Sequence, residues 1–119
     1  MPRVVHFEIS SGDPAKAVKF YGEIFGWTFQ KWDGPQEYWL VSTGPDGQPG
    51  INGGLLRGQV RTVNTLDVAD LDATLTKVTS KGGKVAMPKF AVPGVGHVAY
   101  CEDPEGNLFG LLQPDASAK

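Results

Sequence analysis

A single cysteine, Cys101, stands among 119 residues, so no disulfide can close within the chain. A lone thiol fits a reducing compartment. Clustered positive charge is also missing. The eleven Lys and Arg residues are scattered without a basic run, and the formal net charge is −2. A nucleic-acid-binding surface needs a concentrated basic footprint, so nucleic acid is not an expected partner. The opening MPRVVHFEIS lacks the apolar core of a signal peptide. No apolar run approaches the roughly 18 residues of a membrane span. These absences point to a cytoplasmic domain with no membrane partner. What is present is an ordinary 40% hydrophobic content. At this length it allows one compact domain, residues 1–119, that buries roughly two-thirds of its unfolded surface.

The same order of elements occurs twice. Residues 3–9, RVVHFEI, alternate as a strand, with Val5, Phe7 and Ile9 on one face and Val4, His6 and Glu8 on the other. Asp13 and Pro14 open a helix as N-cap and first helical residue, and Gly26 closes it. The apolar stripe of that helix is Ala17, Phe20, Tyr21 and Ile24. Strands follow at WTFQKW, EYWLVST and INGGLL. In the second half TVNTLDV alternates again and Asp70 caps a helix with Leu71, Leu75 and Val78 inward. Gly82 and Gly83 end it, and short strands follow at KVAM, GHVAYCE and LFGLLQ. Asp13 and Asp70 lie 57 positions apart, as do Gly26 and Gly83. The chain therefore reads as a duplicated unit, about 3–56 and about 62–113, and not as a short-period solenoid. One such unit cannot cover both faces of its own sheet, and the concave face left between paired units is a natural place for a ligand.

Three segments, HFEISSGDPAKAVKFYGEIFGW, VADLDATLTKVTSKGGKV and DPEGNLFGLLQ, carry a family resemblance. In order and spacing the chain resembles the vicinal oxygen chelate superfamily, the glyoxalase, bleomycin-resistance and extradiol-dioxygenase group. The resemblance implies an α+β fold: two βαβββ modules forming a cupped mixed sheet with helices outside. It also implies four slots from which metal-dependent members reach a divalent ion. Here those slots hold His6, Val63, Gly54 and Gly110. A first-row ion needs at least three nitrogen or oxygen side chains, and this set offers one. No metal residues are assigned, no cofactor is expected, and a divalent metal would need non-standard ligands.

What remains is a pocket. His6 and Glu8 share a strand face two residues apart, a pairing suited to acid–base work, and they are the candidate catalytic residues. Tyr38 and Trp39 point to opposite faces, so one should look into the cup. Trp27 and Trp32 join them as a possible aromatic wall. Gly53, Gly54 and Gly110 remove side chains where the cup is deepest, which would open volume for a ligand. The expected ligand-binding set is His6, Tyr38, Trp39, Asn52, Gly54 and Gly110. His97 and Glu102 lie nearer a rim, and Cys101 reads as a structural thiol. The first functional expectation is metal-independent binding of a small apolar or aromatic molecule by a homodimer. The alternative is a lyase, isomerase or dioxygenase relative working through His6.

Overall fold

A computed structural model describes residues 2–119. The chain divides into two compact units, residues 6–63 and residues 64–119 with the first few residues of the chain.

Module one runs β1 (Val4–Ser11), α1 (Pro14–Phe25), β2 (Thr28–Lys31), β3 (Tyr38–Ser42) and β4 (Gly53–Arg57). Its strands lie in the order β2-β3-β4-β1, antiparallel except for the parallel pair β1–β4. α1 starts where the sequence predicts. The Asp13 carboxylate accepts from the Lys16 amide at 3.3 Å, and Pro14 follows at the first helical position. It stops at Gly26, whose φ of 73° is the left-handed cap that a residue without Cβ adopts freely. Val41, Leu55 and Pro14 are buried. Beside them Trp27 stacks on Tyr21 at 5.1 Å and meets Phe7 at 5.8 Å and Phe25 at 5.7 Å. The predicted helix stripe is corrected here. Phe20 and Ile24 are 56% and 60% exposed, while Ala17, Val18, Tyr21 and Gly22 are the more covered positions. The covered face is centred on Pro14, Val18 and Gly22, so spacing alone put its edge in the wrong place.

Module two repeats the plan with β5 (Arg61–Asp67), α2 (Leu71–Ser80), β6 (Lys84–Val92), β7 (Gly96–Glu102) and β8 (Leu108–Pro114). The strand order is β6-β7-β8-β5, with β5 and β8 parallel. Asp70 caps α2 by accepting from the Ala73 amide at 3.0 Å, and Gly82 beyond the helix has a φ of 94°. Leu71 and Cys101, both fully buried, form a core with Val68, Ala99 and Leu111. Leu75 and Val78 pack against it, as their spacing predicts. The turn in DPEGN is built around Asp103, whose carboxylate accepts from the amides of Glu105 and Asn107 at 2.9 Å. The Asn107 side-chain amide donates to its other oxygen at 2.7 Å, and this bond, ahead of the main-chain ones, holds the carboxyl below the usual range. β6 is longer than KVAM. It runs to Val92 through two register irregularities flanking Met87, with Pro88 inside the second. Proline has no amide to give the ladder and sits at bulges and edges, which is why the strand does not read as continuous in the sequence.

Candidate functional site

The site in module one begins with alternation along β1. Phe7 turns to the Trp27 cluster, so His6 and Glu8 face the other way. Sheet register then brings the neighbours to that face: Glu8 lies beside Gly54, Gly54 beside Leu40, and Leu40 beside Gln30. Ser42 pairs with Thr28 two residues along, on the same face. His6, Thr28, Gln30, Leu40, Ser42 and Asn52 line an open cleft of about 480 Å³, with Phe29, Val41 and Gly53 completing it. The Asn52 carbonyl oxygen is held by the Thr43 amide at 3.0 Å.

Tyr38 ties the two titratable groups together. Its hydroxyl lies 3.0 Å from His6 Nε2 and donates to Glu8 Oε2 at 3.0 Å. Trp32 braces the ring edge-on at 6.4 Å, and its amide donates to the Tyr38 carbonyl at 2.8 Å. Burial lowers the His6 pKa from its ordinary 6.5, and the nearby Glu8 charge opposes that only in part. His6 is thus neutral at neutral pH.

The sign of the pH response follows. Between 6.5 and the lowered folded-state value the unfolded chain holds more protons than the folded one. Stability is therefore expected to fall as pH drops below 6.5 through that window. His6→Gln should flatten this part of the profile, as read from urea midpoints; an unchanged slope would show that His6 is not held neutral by burial.

The structure separates the other sequence-predicted residues. Trp39 lies on the opposite face from Tyr38, beside Leu55. The Lys31 ammonium sits 5.8 Å from its ring centroid. Trp27 belongs to the helix-side cluster, so the expected aromatic wall does not line the cleft; Phe29 borders it through its strand position, while its ring turns towards Gly22 of α1. The expected bare floor is also corrected. A Cβ on Gly54 would collide with the Tyr38 hydroxyl, and one on Gly53 with the Phe7 carbonyl and ring. In module two Gly110 lies between Thr65 and Tyr100, and its Cβ would come 2.8 Å from Thr65 Oγ1 and 3.3 Å from Tyr100 Cε1. Phe90 stacks on Tyr100 at 6.3 Å. Tyrosine thus covers both Gly54 and Gly110. Gly110→Ala is accordingly expected to lower stability by about 1 kcal/mol through overpacking. A neutral result in thermal unfolding would mean that Thr65 and Tyr100 yield freely.

His97 Nε2 lies 3.5 Å from Asp115 Oδ2, and His97 is not among the residues that line the cleft. Cys101 is fully buried, and burial pushes its thiol pKa up. Thr28, Gln30, Leu40 and Ser42 were not singled out in the sequence. The signal for Leu40 and Ser42 was period-two alternation from Tyr38. For Gln30 and Thr28 it was their register across a hairpin whose loop length the sequence does not fix.

The metal slots of the fold family are not matched by this donor set. Val63 is buried and, with Gly54 and Gly110, offers no donor. Among the described residues no three His, Cys, Asp or Glu side chains cluster so as to hold a metal ion.

The chain belongs to the glyoxalase/bleomycin resistance protein/dioxygenase superfamily, whose family model matches residues 3–111. CFP32 of Mycobacterium bovis, which carries the name of a glyoxylase, is 30% identical over 122 residues. That match covers 89% of this chain and 43% of the relative, so the chain spans less than half the length of that protein. A Vibrio parahaemolyticus protein named "Probable lactoylglutathione lyase" is 27% identical, covering 93% of this chain and 90% of the other. Among solved structures, methylmalonyl-CoA epimerase from Mycobacterium tuberculosis superposes with a TM-score of 0.69 at 16% identity, covering 93% of this chain and 87% of that one. At that identity the likeness establishes the fold alone.

Proposed function

We propose that module one binds a small molecule with an apolar or aromatic body in the cleft beside His6, and does so without a metal of the family's usual kind. The observation that carries this reading is a half-buried histidine, fixed by Tyr38 and Glu8, at the wall of an otherwise mixed apolar and hydroxyl-bearing cleft. Leu40 would supply apolar contact, and His6, Gln30, Ser42 and Asn52 would orient the polar end. Native mass spectrometry of gently purified protein tests for a carried small molecule, and backbone NMR locates it. Shifts should concentrate at Thr28, Gln30, Ser42 and Asn52; shifts confined to other strands would sink this reading.

The absence of metal follows from donor chemistry, since valine and glycine cannot ligate. After dialysis the protein is expected to retain far less than one equivalent of Zn, Ni, Fe or Mn. Stoichiometric metal that disappears in His6→Ala would overturn this.

A second reading, proton-transfer catalysis, is favoured by the hydrogen-bonded His6–Tyr38–Glu8 chain and by the enzyme names of the relatives. Turnover in a lactoylglutathione lyase assay, lost in His6→Gln, would favour it over simple binding. We also place the protein in the cytoplasm, where a buried lone thiol stays reduced. A homodimer is part of the same reading. Phe20, Ile24, Phe25 and Val60 leave apolar surface exposed, which a symmetric partner could cover. Light scattering at micromolar concentration should show twice the chain mass, and a monomer would count against it.

A further inference from the structure

The hydrogen bonds around His6 determine which of its nitrogens faces a ligand as an acceptor. Tyr38 has one hydroxyl proton and gives it to Glu8 Oε2, 3.0 Å away. A carboxylate has no proton to return. The Tyr38 oxygen must therefore accept at its other contact, 3.0 Å from His6 Nε2. That places the proton of the neutral ring on Nε2 and leaves a lone pair on Nδ1. Among the described residues, the Tyr38 contact is the hydrogen bond made by the His6 ring, and Nδ1 has no protein donor. His6 is among the residues that line the cleft, and Tyr38 and Glu8 are not.

The Thr28 hydroxyl and the Gln30 amide can give or accept. The Ser42 hydroxyl gives its proton to the Gly44 carbonyl at 3.3 Å, and Asn52 Oδ1 accepts from the Thr43 amide at 3.0 Å, which leaves the Asn52 NH2 to donate. A neutral imidazole locked with its proton on Nε2 can only accept at Nδ1. We propose that His6 Nδ1 is an acceptor reserved for the ligand, so that the cleft selects small molecules carrying a hydroxyl donor on an apolar or aromatic body. This rests on the binding reading above and adds the ligand class to it. Glu8 and Tyr38 act as positioning residues that set the tautomer.

Two measurements test it separately. Long-range 15N–1H correlation spectra of the unliganded protein at neutral pH should show His6 as the Nε2–H tautomer, and Tyr38→Phe should lose that preference. An Nδ1–H ring in the wild type overturns the inference without any ligand. The second measurement compares 4-chlorophenol with 4-chloroanisole, which share a body but differ in the donor. The phenol should bind about tenfold more tightly, the value of one net hydrogen bond. The ratio should fall towards unity in Tyr38→Phe, which keeps the ring and its packing. Equal binding of both probes overturns the donor selection while leaving the binding reading intact. Failure of both probes to shift the cleft resonances removes the binding reading, and the ligand assignment with it.

Discussion

Replacing Gly53 by alanine is expected to lower stability by roughly 3 kcal/mol, the upper end of what overpacking costs. Gly53 sits opposite Phe7 in the parallel β1–β4 pair. Its Cβ would meet the Phe7 carbonyl oxygen and come within 2.6 Å of the Phe7 ring. The ring can turn, but a main-chain carbonyl in a ladder cannot move without displacing its strand. The displaced strand is the one that carries His6 and Glu8, so the same change should disturb the cleft. The measurement is thermal or urea unfolding, where a midpoint lower by roughly 10 °C corresponds to this loss. A loss below about 0.5 kcal/mol, typical of an unconstrained surface site, would show that β1 and β4 do not approach as described.

Gly54→Ala is expected to act differently, because its obstacle is the far end of a side chain. The new methyl group would occupy the position of the Tyr38 hydroxyl. Tyr38 must swing away, and its hydrogen bonds to His6 and to Glu8 are lost. Two net hydrogen bonds amount to roughly 2 kcal/mol. His6 would keep its place on β1 but lose the contact that fixes its tautomer. A double-mutant cycle isolates the coupling: in a Tyr38→Ala background, Gly54→Ala should cost far less than in the wild type. Equal costs in the two backgrounds would mean that Tyr38 does not rest on Gly54.

These two neighbouring glycines show how much of the site was legible in the sequence. The amino-acid order itself placed His6 and Glu8 on one strand face, because side chains alternate with period two. It set both helix starts, because aspartate followed by proline or leucine supplies a capping acceptor at a defined position. It also gave the duplication, and at the four metal slots that the family resemblance implies, residue identity leaves one donor. The sequence did not tell which aromatic ring faces His6. Tyr38 and Trp39 have similar strand preferences, and the choice between faces depends on the register of β3 against β4. Nor could it tell whether Gly54 and Gly110 leave space or are covered. A missing side chain opens volume only if no neighbour fills it, and the Tyr38 and Tyr100 side chains that fill it start from other strands. Residue identity determined what chemistry His6 can do. Cross-strand packing, which brings the Tyr38 hydroxyl between Glu8 and one of its nitrogens, decided which nitrogen is left to do it.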